Sequence, residues 1–214
     1  MIRTTRDLLL VVAAAVLALA IPAFNNAEAT TVAKLTVEQF TDASSYIIKG
    51  EAGESWTSLN DRGLVYTHTK VTVDEVYKGP NIPDEVVVSV LGGTFGSIST
   101  EIAGRPVFST GERVFLFLHE SPSGALIPVA QSTGKYTIRR APGETRHHVL
   151  RVVTGKKYDH RFLPHPRAED RVYLDDLVEK VQSRLDTGWD GKAIPGISLD
   201  ELEKFNTTER RMPR

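Results

Sequence analysis

The sequence predicts a mainly β fold, an antiparallel barrel or sandwich, with a short helix before it and helical segments after it. Three observations predict this class. Apolar and polar residues alternate in short segments between Tyr46 and Val153, glycine and proline mark turns at near-regular spacing, and a period of 3.6 residues returns only after Glu169. Because no helical pattern separates the β segments, a parallel nucleotide-binding sheet is excluded.

The first 29 residues predict a signal peptide. Arg3 and Arg6 supply positive charge, the 13 residues from Leu8 to Ala20 carry no polar side chain, and Ala27-Glu28-Ala29 is a small-residue cleavage site. A membrane-spanning helix needs about 20 apolar residues, so cleavage is favoured over the alternative of an uncleaved anchor. We therefore predict an exported protein, periplasmic or extracellular, that meets the membrane only through its signal peptide during export.

Charge and cysteine content exclude several classes of protein. The chain has 26 Lys and Arg against 27 Asp and Glu, a formal net charge of −1. This balance argues against coating of nucleic acid, so no nucleic-acid partner is predicted. The absence of cysteine excludes disulfides and thiolate metal sites, so stability must come from a hydrophobic core. No motif indicates a cofactor.

The domain is predicted to begin with a short helix and two strands. Thr36 and Gln39 have the spacing of a capping box, which marks a helix start. The first two strands are predicted at 46–51 and 64–77. The alternation of the second strand slips at Asp74 and Glu75, which predicts a bulge that bends the strand and returns Val76 to the core.

One later segment is predicted to be the central strand. Arg113 to Leu118 is apolar on both faces, which is typical of a strand covered on both sides. Turns rich in glycine and proline separate it from the other predicted strands, which are Glu85–Leu91, Leu126–Ala130, Tyr136–Arg139 and the weaker His148–Val153.

The stretch LGGTFGSIS, residues 91 to 99, raises three alternatives: a phosphate loop, the support of a nucleophilic serine, or a bend. A phosphate loop needs a helix after it, because N–H groups at the helix start bind the anion. Ile98 and Ile102 instead predict a short exposed strand, and no GxSxG surrounds Ser97. The glycines are therefore predicted to shape a barrel corner.

Two pairs of residues resemble catalytic motifs without completing them. His119-Glu120 begins like the HExxH zinc helix, but Ser123 replaces the second histidine and Pro122 would break the helix. Asp175-Asp176 are neighbours on a predicted helix, where they face different directions and are read as its solvated side. No catalytic residue and no metal ligand is predicted.

The loop from Asp186 to Gly191 resembles the start of a calcium loop between two helices. Gly188 and Ile197 stand where ligands are required, so an ordinary turn with Trp189 packed beneath it is favoured. The flanking helices are predicted at 169–185, packed on the barrel, and at 198–205, with Ser198 as its cap. The predicted organisation is a signal peptide at 1–29, a β-barrel domain at 30–158, a helical extension at 159–206 and a disordered tail at 207–214.

The strongest local charge bias lies between residues 139 and 168, where eight Lys or Arg stand against two acids and four of the six histidines occur. One interpretation is a patch on a hairpin for an anionic partner, such as acidic polysaccharide or an acidic protein, strengthened when the histidines gain charge at mildly acid pH. The alternative is a solvated hairpin without a ligand. The candidate anion-binding residues are Arg146, His147, His148, Arg151, Lys156, Lys157 and Arg161.

Five segments carry a resemblance to known proteins. YTHTKVTVDEVYKGP, EVVVSVLGGTFG, GRPVFSTGERVFLFLHE, GKYTIRR and LDDLVEKVQSRL follow in this order. Over about residues 35 to 185 the chain resembles a group of uncharacterised exported bacterial proteins with an OB-like barrel, netrin-like in architecture. The resemblance implies a small antiparallel OB-like β-barrel with a short N-terminal helix and a C-terminal helix packed on it. Turn glycines and core strands carry it, so it implies no chemistry.

Three functions stay open on the sequence. The first is an exported non-catalytic binding module that engages an anionic surface polymer or another exported protein. The second is an inhibitor or accessory subunit of an exported protease, although the N-terminal cysteine of netrin-like metalloprotease inhibitors is missing. The third is an enzyme with a site assembled from dispersed residues such as His68, His119 and Glu120. Because no local motif supports a nucleophile, metal or cofactor, a non-enzyme is the preferred prediction.

Overall fold

The structure, a computed structural model, describes residues 35–80, 82–102, 104–153, 156–158 and 172–207. The predicted signal peptide, His160, Arg161, His165 and residues 208–214 of the predicted tail lie outside the described residues. The helices are α1 (Val37–Asp42), α2 (Leu174–Thr187) and α3 (Leu199–Thr207), with a 3-10 turn at Gln131–Gly134. The strands are β1 (Tyr46–Leu59), β2 (Val65–Lys78), β3 (Glu85–Leu91), β4 (Gly93–Phe95), β5 (Ile98–Thr100), β6 (Glu112–Glu120), β7 (Leu126–Pro128), β8 (Lys135–Arg139), β9 (His148–Val153), β10 (Lys156–Tyr158) and β11 (Val172–Tyr173).

Five strands close a barrel within this mainly β fold. β1, β2 and β3 pair in sequence, β6 returns to the other side of β1, and β7 joins β6 to β3. The β3–β7 contact, Val88 with Leu126, is parallel, and the other pairings of the ring are antiparallel. The barrel is therefore mixed rather than antiparallel as predicted. The reason is geometric, because a closed ring with an odd number of strands cannot alternate direction at every junction.

β6 is apolar on both faces because it separates two cores, which confirms its predicted central position. Val114, Leu116 and Leu118 point into the barrel and pack with buried residues of β1, β2 and β3. Phe115 and Phe117 point outward into a second core beneath the helices, and both are fully buried. The double burial explains the uninterrupted apolar run in the sequence.

The helices cover this outward face of β1 and β6. Leu177 and Val181 of α2 are buried in the same cluster as Phe115 and Phe117, which confirms the prediction of a C-terminal helix packed on the barrel. Both predicted capping boxes form, at Thr36 with Gln39 and at Ser198 with Glu201. α2 is fastened to α1 by an ion pair in which Arg184 Nη2 lies 2.7 Å from Asp42 Oδ2.

The glycines of residues 91–99 shape a hairpin, β4–β5, and no helix follows them. Gly96 has a φ of 57° in the turn between the two strands. Gly93 has a φ of 134°, and a Cβ there would lie 2.5 Å from Thr67 Oγ1, so only glycine fits against β2. The prediction that these residues bend the chain is confirmed.

The predicted bulge in β2 is present. The β1–β2 register passes from Gly50 with Val73 to Lys49 with Glu75, which leaves Asp74 without a partner on β1. The prediction that Val76 returns to the core is wrong, since Val76 is 45% exposed. A second register shift follows at Tyr77, and the buried position at the end of the strand belongs to Lys78, whose Nζ donates to Thr41 O at 2.8 Å.

Candidate functional site

The outer surface of the barrel is divided into a helix-covered part and an uncovered part. The covered wall consists of the outward residues of β1 and β6 beneath the helices: Ile47, Phe115 and Phe117. On β2 the residues Val65, Thr69 and Val71 are buried inward, so the alternating residues between them face outward. With their neighbours in register they form the open wall, which we define as Trp56, Ser58, Tyr66, His68, Lys70, Val87 and Ser89.

His68 lies at the centre of the open wall with both ring nitrogens hydrogen-bonded. Its Nε2 is 2.8 Å from Ser58 Oγ, and its Nδ1 is 2.9 Å from Ser89 Oγ. A neutral imidazole has one donor and one acceptor, and a hydroxyl can serve either. Burial lowers the pKa of His68, which favours this neutral form. Two bonds from neighbouring strands therefore fix the plane of the ring.

Two aromatic rings accompany His68. Trp56 lies 5.4 Å from it between ring centroids at an interplanar angle of 29°, and Tyr66 lies 6.5 Å from it at 18°. Trp56 is nevertheless 40% exposed. Tryptophan is usually well buried, so an exposed one held beside a fixed ring is a surface suited to contact with a ligand. The three residues form a rigid aromatic row.

The charges of the open wall are balanced. Lys70 Nζ lies 3.2 Å from Glu85 Oε1, and both side chains are about half exposed. The wall thus offers stacking surfaces and hydroxyl groups without an unpaired cation. This composition suits a ligand that is uncharged and carries ring faces.

The Ser58–His68 contact also has the distance of a nucleophile and its base. A hydrolase additionally needs an oxyanion hole, usually made from free backbone N–H groups. Asn60 N donates to Leu64 O at 3.0 Å, and alternation along the ladder then makes Ser58 and Tyr66 a hydrogen-bonded pair. The Ser58 N–H is therefore used within the sheet. Ser89 stands where triads carry a carboxylate, and this lack of a charged partner for His68 favours ring fixation over catalysis.

Arg146, the first residue of the predicted anion patch, is occupied by carboxylates of its own chain. It donates to Asp175 through Nε at 2.9 Å and Nη2 at 2.7 Å, and to Asp176 at 2.6 Å. Its guanidinium lies 3.9 Å from the ring centroid of Tyr173. The pair predicted to be the solvated side of a helix is thus engaged with the arginine predicted to bind an external anion.

Of the other predicted patch residues, His147 is described on the same surface as Arg146, because both line one shallow groove. Arg151 is 1% exposed, with its guanidinium 4.8 Å from the Phe40 ring and 4.4 Å from the Tyr136 ring. His148 is buried, with Nδ1 3.9 Å from Glu144 Oε2, and His147 lines a shallow groove of about 370 Å³. The main chains of Lys156 and Lys157 form β10, their side chains are outside the description, and Arg161 lies outside the described residues.

The structure also separates the residues of the dispersed-site hypothesis. His68 is level with Trp56 on β1, whereas His119 follows Leu118, which pairs with Tyr46. Ten residue steps of β1 separate these levels, a path of about 30 Å along the strand. His68 is therefore far from His119 and Glu120.

The calcium-like loop holds its acid with cations of the protein. Asp190 lies 3.2 Å from Arg184 and 2.8 Å from Lys192, and these contacts lower the pKa of Asp190 to about 2, with the Lys192 hydrogen bond as the largest cause. Trp189 packs against the helix-side core and donates to Lys192 O at 3.0 Å, so the favoured turn is confirmed. In the part of the chain that the structure describes, no group of three His, Asp or Glu residues could hold a metal ion.

No motif in the sequence predicted Trp56, Ser58, Tyr66 and Ser89 as a set. Their only signal was a period of two in residues 54–59 and 64–70, which places Trp56, Ser58, Tyr66 and His68 on one face. Among residues 35–207 where described, no helix is long and apolar enough to cross a membrane. No known family model matches the chain, and no curated protein matches it. The candidate site therefore rests on the geometry of the open wall.

Proposed function

We propose that the protein is an exported, non-catalytic binding module, an OB-like barrel whose open wall binds an uncharged sugar polymer. The observation that carries the proposal is the aromatic row, in which exposed Trp56 and half-buried Tyr66 accompany a His68 ring held by two serines. Export is proposed from the signal peptide pattern of residues 1–29.

The strand path supports the OB-like assignment. Three consecutive strands with the fourth returning beside the first form a Greek key, and β6 returns beside β1 after β1, β2 and β3. An OB-fold is a five-stranded Greek-key barrel that binds oligosaccharides or oligonucleotides on the face of its second and third strands. The open wall includes that face, since it contains Tyr66, His68, Val87 and Ser89 of β2 and β3.

Charge favours an uncharged sugar over a nucleic acid or an acidic polymer. Polyanions are bound mainly through Lys and Arg that neutralise their charges. Lys70 is paired with Glu85, Arg146 is paired with Asp175 and Asp176, and Arg151 is buried. Sugar rings present apolar C–H faces to aromatic rings and hydroxyls to polar side chains, which needs no cation. The anionic polymer predicted from the basic segment is the alternative ligand, since the side chains of Lys156 and Lys157 and all of Arg161 lie outside the described residues.

The test uses the fluorescence of Trp56. The chain has two tryptophans, so Trp189→Phe leaves Trp56 as the sole reporter. Titration with soluble xylan or dextran should give a saturable spectral shift that is insensitive to salt. Trp56→Ala should weaken binding, measured by calorimetry, about tenfold or more. Leu199→Ala is the matched control, because Leu199 is 54% exposed on α3, and it should bind as the wild type does.

Other outcomes decide between ligand classes. Binding to alginate or single-stranded DNA that falls steeply with salt would replace the uncharged ligand with a polyanion. Equal losses in Trp56→Ala and Leu199→Ala would contradict the open wall as the binding surface.

The Ser58–His68 contact gives the enzyme alternative a direct test. A fluorophosphonate reagent modifies a serine that a base has activated. We expect no adduct on Ser58 by mass spectrometry and no loss of sugar binding beyond a few-fold in Ser58→Ala. An adduct at Ser58 that His68→Gln abolishes would make the open wall a hydrolase site instead.

A further inference from the structure

β1 is longer than the part of it that pairs with β6, so it extends past the end of β6 along one of its edges. β6 pairs with β1 from Tyr46 to Ala52, and the last contacts on that side are Gly111 N to Ala52 O at 2.7 Å and Thr110 Oγ1 to Gly53 O at 3.2 Å. From Ser55 to Leu59, β1 pairs only with β2 among the described residues. One edge of this segment is therefore open.

The main-chain groups at this edge have a defined direction. Val65 N donates to Thr100 Oγ1 at 3.2 Å and Val65 O accepts from Gly92 N at 2.8 Å, so the main chain of Val65 faces away from β1. The main chain of Leu59, which is opposite Val65, must then face away from β2. Two directly opposed residues of an antiparallel pair exchange either both main-chain hydrogen bonds or neither. Alternation gives Thr57 and Ser55 the same direction. These three residues present N–H and C=O groups outward.

Residues 55 to 59 carry none of the usual side-chain devices that block strand addition, and the irregularity in the β1–β2 register lies before them, between Ala52 and Ser55. Exposed edges are normally protected by lysine, proline or extreme shortness. The sequence Ser-Trp-Thr-Ser-Leu from 55 to 59 contains no lysine and no proline, and Trp56 and Leu59 are 40% and 37% exposed. Another extended polypeptide carries the same row of alternating N–H donors and C=O acceptors, so it can pair with this edge.

We propose that this edge pairs with the same edge of a second copy of the chain, antiparallel about Thr57. In this register Thr57 faces Thr57 of the partner subunit, and Ser55 faces Leu59 of the partner subunit. The pairing satisfies the outward N–H and C=O groups of both segments and places no like charges opposite each other. The two barrels then share one continuous sheet.

The closure of the barrel fits this register. Thr110 occupies the β1 edge at Gly53, so an incoming strand must leave the sheet at that level. An antiparallel partner strand centred on Thr57 reaches the level of Gly53 with its own turn, which follows Leu59 of the partner subunit. That turn is tight, with Asn60 Oδ1 accepting from Arg62 N at 3.0 Å and Leu64 N at 2.9 Å. A copy of the same hairpin therefore ends where the available edge ends.

The side chains of the open wall favour the same pairing. Trp56 faces Ser58 of the partner subunit in the closely spaced, non-hydrogen-bonded position, and the two Trp56 indoles become diagonal neighbours. Diagonal neighbours are within reach of aromatic side chains. The pairing brings the two indoles together at the join and extends the two aromatic rows into one surface.

The experiment measures the mass of the protein, expressed from its full-length sequence and purified after export, by light scattering from about 1 µM to about 1 mM, a range suited to small interfaces. The mass should double with concentration. Thr57→Pro removes the outward N–H without removing a β1–β2 bond, so it should stay monomeric. Thr57→Val keeps the N–H and should dimerise. Both variants lose the Thr57 Oγ1 bond to Thr94 O, 2.9 Å in the structure, so the pair isolates the edge donor.

Amide hydrogen exchange tests the same edge without a substitution. The Thr57 and Leu59 amides should exchange slowly in concentrated solution and at least tenfold faster after dilution, whereas the Trp56 amide, bonded to β2, should not change. A mass of one chain at all concentrations with rapid Thr57 exchange would overturn the proposal, as would a dimeric Thr57→Pro. Sugar binding by such a monomer would leave the proposed function standing, since the dimer does not depend on it.

Discussion

The covered wall and the open wall belong to the same barrel and share β1, yet they differ in burial and in hydrogen bonding. Ile47 of β1 is fully buried beneath the helices, while Trp56 of the same strand is 40% exposed. The covered wall is aromatic and aliphatic without hydrogen-bonding groups. On the open wall, aromatic rings alternate with serine and histidine whose polar atoms are bonded to each other. The buried wall is purely apolar, whereas the exposed wall combines rings with polar groups, the composition on which the proposed binding function rests.

The largest expected effect is on the covered wall. Phe117 is fully buried, with ring centroids 5.3 Å from Phe40, 5.4 Å from Phe115 and 6.1 Å from Tyr136. Phe117→Ala should lower the free energy of unfolding by about 3–5 kcal/mol because it leaves a cavity in rigid surroundings. Val87→Ala, on the open wall, should cost about 0.5 kcal/mol or less. Urea denaturation measures both, and equal losses would erase the distinction between the walls.

The next effect concerns the clamp that holds the covering helix. Arg184→Met leaves Asp42, 3% exposed, without its cation, and should cost about 2 kcal/mol, less than a fully buried pair because Arg184 reaches solvent. Arg146→Met is the matched control, since Arg146 binds the first turn of the same helix from the loop before β9 through exposed pairs with Asp175 and Asp176, and it should cost about 1 kcal/mol or less. Thermal unfolding of both variants checks the order, and a larger loss in Arg146→Met would refute it.

A smaller effect is expected for the ring that we assign to ligand contact. Trp56→Ala should lower the free energy of unfolding by about 1 kcal/mol or less, because much of the indole is already in solvent. Trp56→Phe should retain most of that contribution. If Trp56→Ala instead destabilised the protein as much as Phe117→Ala, Trp56 would be a structural residue. Weaker binding by Trp56→Ala would then be explained by its lower stability.

The smallest effect is on pH dependence. Burial lowers the pKa of His68 below its ordinary value of 6.5. Between the two pKa values the unfolded chain binds more protons, so the free energy of unfolding falls as pH drops from about 6.5 to the folded pKa and is unaffected above 6.5. His68→Gln should flatten this part of the profile, as pH-dependent urea denaturation would measure. His119, whose pKa burial also lowers against the influence of Glu201, adds a fall of the same sign, which His119→Gln should remove.

Most of the fold could be predicted because its strands and caps are local patterns. Thr36 and Ser198 mark the starts of α1 and α3, β3 and β9 have the predicted bounds, and the double burial of β6 is visible as an apolar run. β1 was predicted only to Glu51. Its second half contains Gly53 and polar residues, and pairing with β2 rather than core burial holds it in the sheet.

The candidate site could not be predicted, because it depends on register. Ser58, His68 and Ser89 meet across three strands, and no sequence spacing records that meeting. For a related reason, the charges in the sequence could not show which arginines have partners within the protein. Arg146 looked available because its partners Asp175 and Asp176 lie about thirty positions away in the chain, and Arg151 looked exposed because β9 alternation did not reveal Phe40 and Tyr136 beneath its guanidinium.

The odd number of strands has a mechanical consequence. A ring of five is only as continuous as its thinnest junction, and that junction is the single pair Val88 with Leu126. Every other join in the cylinder is a ladder of several residues. We expect that a fluctuation that separates this one pair would open the cylinder into a curved sheet and leave each ladder intact.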